Sequence, residues 1–485
     1  MTKAVAVSSV IPACPAVDAT GVLARFRREF YASLYAREDA LFELTDALLC
    51  AEGPVKALVE LSLAAEHRRS HGGMYAALSL GDLEPERLRR ALVSVPLPTS
   101  RDGRITLAVD VSNWLRPDAA TSPHRLFCHT YGRGRSKDQF IPGWPYSFVA
   151  ALESGPTSWT ALPGAVRLAP ADDASEVTAT QLRAVIARLI HAGHWAEGDP
   201  RIMVVADAGY DVARLAYLLA DLPVLMVARV RSDRVYRFGA KLDPRGKPGR
   251  PTRHGPRFSL ADPDPWPVPD AASSALTPRY GRADIRAWRG LHPMLTHRSG
   301  WIGHDGELPI VPATVIRLQV EHLPGDRDPD PVWLWCSDPG ADPDLVTACW
   351  TMFLRRFDLE HTFRFLKQTL GWTRPKLRSP QAADRWTWLV IAAHAQLRLA
   401  RPLAADLRRP WERPLPTGKL TPARVRRGFR NIRADLPHLA RAPKTHTPGP
   451  GRPVGSKNKA KAPVHAVGKT EKRALTLEEH YAALS

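Results

Sequence analysis

The sequence predicts an α/β protein: a mixed-sheet core interrupted by a β-rich insertion, preceded by an all-α domain and followed by a basic tail. Three observations carry this. Helical periodicity dominates residues 22–92; short β-branched runs alternate with helical stretches between 105 and 230; and two helical stretches return only after a region dense in Pro, Gly and Asp.

The expected domains follow in order. In 1–100, Phe26, Phe30, Leu34, Leu41, Leu44, Leu48 and Leu49 recur mostly at three- to four-residue spacing, as helices burying one stripe require. Val55 to Ala65, the turn from Arg68 to Gly73, and the stretches Tyr75 to Leu80 and Glu84 to Leu92 have the layout of a helix-turn-helix. Arg87, Arg89 and Arg90 would then face phosphate, but plain helix packing explains the pattern equally well.

Residues 101–231 read as the first part of the core. Ile105 to Val109, Leu126 to Tyr131 and Tyr146 to Leu152 are strand candidates, followed by a helix at Ala179 to His191. A strand at Ile202 to Val205, a helix at Val212 to Leu219 and a strand at Val224 to Val230 complete a β-β-β-α-β-α-β order. Residues 232–341 form the insertion, with strand candidates at Val311 to Leu318 and Val332 to Trp335. The core resumes over 342–400 as a long helix from Asp342 to Leu370 and another from Arg385 to Ala400. In 401–485 come Arg424, Arg426, Arg427, Arg430 and Arg433, then a Pro/Gly/Lys-rich stretch from Pro443 to Lys472 that can bury little apolar surface.

Composition narrows the function. Lys and Arg total 68 against 49 Asp and Glu, a formal charge of +19 that favours a polyanionic partner such as nucleic acid. The five cysteines, Cys14, Cys50, Cys128, Cys336 and Cys349, are scattered with no CxxC pair, which fits a reducing, cytoplasmic, nucleoid-associated setting and excludes a cysteine zinc site. Met1 to Val17 is broken by Ser8, Ser9, Pro12 and Pro15 and does not read as a secretory signal. No run approaches the ~18–20 apolar residues that span a bilayer.

The candidate chemistry lies in three carboxylates. Two-metal phosphoryl transfer needs hard oxygen ligands from separate elements converging on cations about 3.5–4 Å apart. Asp110 closes the first strand candidate, Asp207 follows the Ile202 strand, and Glu360 lies on the long helix, so the first two stand at a sheet rim where open α/β sheets bind ligands. On that helix Phe353, Arg356, Glu360 and Lys367 fall within an arc of roughly 60° at about 100° per residue. Arg356 can hold a phosphate or orient Glu360, and Lys367 can neutralise DNA backbone charge.

These residues resemble the DDE transposases, specifically the insertion-sequence subgroup with a Tyr-x2-Arg-x3-Glu-x6-Lys signature. The chain reads Phe353-x2-Arg356-x3-Glu360-x6-Lys367; Asp207-Ala208-Gly209-Tyr210 is similar to the second-Asp motif and Leu107-Ala108-Val109-Asp110 to the first. Phe353 replaces the Tyr, and Val111-Ser112-Asn113 follows Asp110 where many relatives carry a second acid. The resemblance spans about 105–400. It implies an RNase H-like core with Asp110, Asp207 and Glu360 as catalytic metal ligands. It also implies Mg²⁺ with Mn²⁺ able to substitute, DNA cleavage at terminal inverted repeats, strand transfer into target DNA, and a homodimer in a synaptic complex.

Other residues carry weaker readings. Tyr210 packs or touches DNA. Gly249-Arg250-Pro251 and Gly451-Arg452-Pro453 would each lay an arginine in a narrow A·T minor groove, the second resembling an AT-hook; a basic linker is the alternative. Asp211 is expected to cap a helix. Trp266, Trp288, Trp301, Trp333 and Trp335 are better explained as core than as a base-flipping wedge. Gly132 to Lys137 lacks Walker spacing and reads as a basic turn. A nuclease without joining activity, and an inactive domesticated DNA-binding protein, are the competing functions.

Overall fold

The structure is a computed structural model and describes residues 18–100, 102–130, 139–153, 155, 157–240, 252–277, 280–322, 329–444, 453–456 and 460–468. The N-terminal elements are α1 (Ala19–Ala32), β1 (Leu34–Ala36), α2 (Glu38–Cys50), α3 (Leu58–Leu61), α4 (His71–Leu80), β2 (Asp82–Leu83) and α5 (Pro85–Val93). Asp18 starts α1 by accepting the Gly21 N–H at 2.9 Å. Ser70 caps α4 through the Gly73 N–H, so Gly72 and Gly73 lie in a helix rather than in the turn expected there.

The core runs β3 (Thr106–Leu115), β4 (Leu126–Thr130), β5 (Gln139–Leu152), β6 (Thr160–Arg167), α6 (Ala174–His191), β7 (Ile202–Ala206), α7 (Val212–Leu218) and β8 (Val224–Val230). β6 is an additional strand beyond the expected order. Then come β9 (Val235–Gly239), β10 (His254–Ser259), β11 (Ala271–Thr277), β12 (Gly281–Pro293), β13 (Ala313–Val320) and β14 (Val332–Cys336). After these come α8 (Pro343–Arg355), α9 (Phe357–Arg364), α10 (Pro380–Ala400) and α11 (Pro422–Ala434).

One large mixed sheet organises these pieces, in the order β10-β9-β12-β13-β14-β8-β7-β3-β5-β4, with β11 beside β12 and β6 beside β5. β3 pairs antiparallel with β5 and parallel with β7, which pairs parallel with β8; this mixed α/β arrangement is consistent with an RNase H-like core. The insertion does not stand apart. β14 hydrogen-bonds antiparallel to β8, with Trp333 opposite Val230 and Cys336 opposite Val227, so the inserted strands cover what would otherwise be an open sheet edge.

Helices cover both faces. α6 and α7 pack on one through Val185, Ile186, Leu189 and Leu215. The other carries α8 to α11 together with the N-terminal helices in a continuous apolar core that includes Leu41, Leu48, Trp350, Trp386 and Phe429. The expected basic tail is therefore partly a packed helix: on α11, Arg433 pairs with Asp46 at 3.1 Å, Arg430 with Glu66 at 2.9 Å and Arg427 with Glu412 at 2.6 Å. Buried Arg426 donates to the Leu48 and Gly53 carbonyls. Trp288 and Trp333 are buried and pack against Trp266, as core aromatics. No helix among the described residues is long and apolar enough to cross a membrane.

Candidate active site

Strand alternation decides which side chains meet. On β3, Ala108 belongs to the core beneath α8–α11, whereas Leu107 and Val109 face α6; on β7, Met203 and Val205 share the first side. Asp110 and Asp207 follow at even steps from Ala108 and Val205, so both fall on the face covered by α8 and α9. Ala108 pairs with Val205 across the parallel ladder, which places Asp110 level with Asp207 two residues on. β7 stops at Ala206, while β3 continues to Leu115, so Asp110 lies within its strand rather than at the end expected for it.

The expected single helix is interrupted twice. α8 ends at Arg355, Arg356 forms the joint, and α9 passes into a π-helical turn over Phe365–Thr369. The straight 60° face from Phe353 to Lys367 is therefore not kept, yet Arg356 and Glu360 remain one turn apart. The Arg356 guanidinium lies 3.1 Å from Asp110 Oδ2, 3.5 Å from Asp207 Oδ2 and 3.7 Å from Glu360 Oε1. Its side chain is 5% exposed, against 24% for Asp110, 40% for Asp207 and 53% for Glu360. Phe353 and Phe357 flank it, with ring centroids 5.8 and 5.1 Å from the guanidinium carbon. The second oxygens of the two aspartates accept their following N–H groups, Val111 and Ala208, each at 2.8 Å.

Burial pushes the Asp110 carboxyl up to about 6; Arg356 and the Val111 N–H pull it down, and Asp207 and Glu360 push it up further. Burial likewise raises the Tyr210 phenol far above its ordinary value, with Asp110 adding to the rise, and its hydroxyl has no hydrogen-bond partner among the described residues. Lys367, 5.8 Å from the Trp372 ring centroid, is lowered by burial and supported by Asp110.

The structure thus brings Asp110, Asp207, Glu360 and Arg356 together, with Tyr210 and Lys367 near Asp110. Arg250 and Arg452 lie outside the described residues, as does the basic turn at Gly132 to Lys137. Asp211 caps α7 by accepting the Arg214 N–H at 3.1 Å. Of the N-terminal arginines, Arg87 pairs with Glu29, Arg89 with Glu86 and Arg90 with Glu84; Arg68 and Arg69 both reach Glu43.

Oxygen-only donors suit a hard divalent cation. No three acidic, imidazole or thiol groups among the described residues are placed to hold one ion as they stand; at this site the Arg356 guanidinium lies between the three carboxylates. That one positive charge offsets only part of the negative charge of three carboxylates.

No sequence motif marks a cavity of about 610 Å³ beside this site, lined by residues 208–213, the end of β8 and residues 293–301. Arg229, Arg231 and Arg234, three arginines in six residues, were the one available signal for it.

Two aspartates thus stand abreast at a parallel-strand rim, facing a glutamate on the covering helix. A family model described as DDE superfamily endonuclease matches residues 29–294. The chain belongs to that superfamily, which implies DNA as substrate. The match includes Asp110 and Asp207 and ends before Glu360. Comparison with curated proteins finds no match.

Proposed function

We propose that the protein is a transposase of the insertion-sequence type that cleaves DNA at the element's terminal repeats and joins the freed 3′-hydroxyl to target DNA, acting as a homodimer in a synaptic complex. The observation that carries the reading is the convergence of Asp110, Asp207 and Glu360 on one guanidinium, because three separate elements of a DDE superfamily endonuclease contribute them.

In this reading Asp110, Asp207 and Glu360 hold the divalent cations, Mg²⁺ or in its place Mn²⁺. Those ions, when bound, activate the attacking oxygen and stabilise the leaving one. The protein's own groups do the rest. Arg356 keeps the carboxylates oriented before metal arrives and, once released from at least one of them, offers a planar donor pair to a phosphate. Lys367 adds positive charge on the Asp110 side. Phe353 holds Arg356 by its ring face, a role that needs no phenolic hydroxyl.

The test is incubation of the full chain with labelled DNA containing the element's ends, with Mg²⁺, Mn²⁺ or EDTA. Metal-dependent nicks at the ends together with joined products support transposition. Nicks without joined products return the nuclease reading, and binding with neither returns the inactive one.

A further inference from the structure

The cavity beside Asp207 is built from donors. Arg229, Arg234 and Arg298 line it, are exposed, and have no carboxylate partner among the described residues. Other arginines, such as Arg183, Arg201, Arg214 and Arg282, form ion pairs; what sets these three apart is that they share one cavity beside the carboxylates. The two carboxylates in the lining are already engaged: Asp211 caps α7, and Asp233 pairs with Arg231 at 2.5 Å. Three exposed guanidinium groups beside carboxylates that are already engaged fit a ligand that is anionic and rich in oxygen.

Register ties this cavity to the carboxylates. Ala206 pairs with Ala228 across the parallel β7–β8 ladder, so Asp207 is level with Arg229 just as Asp110 is level with Asp207. Leu225 and Val227 face the core beneath α8–α11, and by alternation Arg229 falls on that same side as the two aspartates. Asp110, Asp207 and Arg229 thus form a row across three adjacent parallel strands, and Arg229 also belongs to the cavity's lining, which continues to Arg234 and Arg298 on the α7 side of the rim.

We propose that Arg229, Arg234 and Arg298 form a phosphate track that holds the backbone of the DNA strand continuing past the reacting phosphate, over the sheet rim and into this cavity. The assignment rests on DNA being the substrate. It accounts for three exposed arginines without counter-charges, and it gives the strand a direction, away from α9 and towards α7.

The experiment measures affinity of the full chain for a fluorescently labelled 40-base-pair duplex across a NaCl series without divalent metal. It compares wild type, the triple variant R229Q/R234Q/R298Q, and a control triple of equal charge loss, R183Q/R201Q/R282Q, drawn from ion-paired surface arginines. Each phosphate contact contributes about 0.9 to the slope of log K against log salt, so the track triple should flatten it by about 2 to 3 while the control leaves it near wild type. An unchanged slope in the track triple, or an equal loss in both, overturns the track while leaving DNA binding by the protein intact. Failure of the wild type to bind DNA at any salt overturns the track together with the transposase reading.

Discussion

Arg356 concentrates the physics of the candidate site in one side chain. It is buried, flanked by two phenyl rings, and within ion-pair distance of three carboxylates, while its Nε finds no acceptor among the described residues. In EDTA, Arg356→Gln should destabilise the fold by about 1–3 kcal/mol, less than the ~3–5 of a fully buried pair because Asp207 and Glu360 are partly solvated. Urea unfolding of the variant checks this, and an unchanged midpoint would show that the carboxylates need no counter-charge. His394 supplies a second residue-scale prediction. It sits inside α10 beside Trp159 and Phe365, and burial, with Arg398 adding to it, lowers its pKa to about 3. The unfolded chain takes up this proton below about 6.5 and the native chain does not, so the stability it protects is complete above 6.5 and declines as pH falls towards 3. His394→Leu should therefore lose about 2 kcal/mol less than wild type between pH 7.5 and pH 5. Equal losses in both proteins would contradict it.

At the scale of elements, strongly patterned segments were legible and those shaped by distant partners were not. Val224 to Val230 is a strand as read, and α7 lies within one residue of its expected span. β6 was hidden by Pro163 and Gly164, yet Gly164 is what lets α6 come close, since a Cβ there would meet Val185 at 3.3 Å. The joint at Arg356 and the π-helical turn leave no mark in apolar spacing, because the residues on either side keep their helical pattern. The α11 arginines resembled a nucleic-acid tail because their acidic partners lie some 360 to 390 residues away in the chain for Glu66 and Asp46. That docking makes its own prediction. Asp46 is buried between Arg27 at 2.7 Å and Arg433 at 3.1 Å, with Gln396 also bonded to Arg27. Asp46→Asn leaves two guanidinium groups without their shared charge and should cost about 3–5 kcal/mol. A loss below ~1 kcal/mol in urea unfolding would mean that the Asp46 charge contributes little to docking α11.

Across the described residues, one sheet joins the insertion to the core, and the N-terminal helices share one apolar layer with α8–α11. The two aspartates of the site were readable from sequence because short β-branched strands precede them, whereas the phosphate track was not, since its arginines become neighbours only when residues 293–301 return beside β8. Beyond α11, the chain comes back to the sheet: the Gly468 N–H donates to the Arg125 carbonyl at 2.8 Å, and the Phe127 N–H donates to the Gly468 carbonyl at 3.3 Å. Truncation after Ala442 should remove this contact along with basic charge, weakening general DNA affinity and flattening its salt dependence; an unchanged slope would free the tail of any DNA role. The most direct test of the central claim is excision and reintegration of a marker flanked by the DNA that borders this gene. Wild type is compared with Asp110→Asn, Asp207→Asn and Glu360→Gln. The account predicts that wild type moves the marker and that each substitution abolishes movement while leaving the fold and DNA binding in place. A variant of any of the three that still moves the marker at the wild-type rate would contradict it.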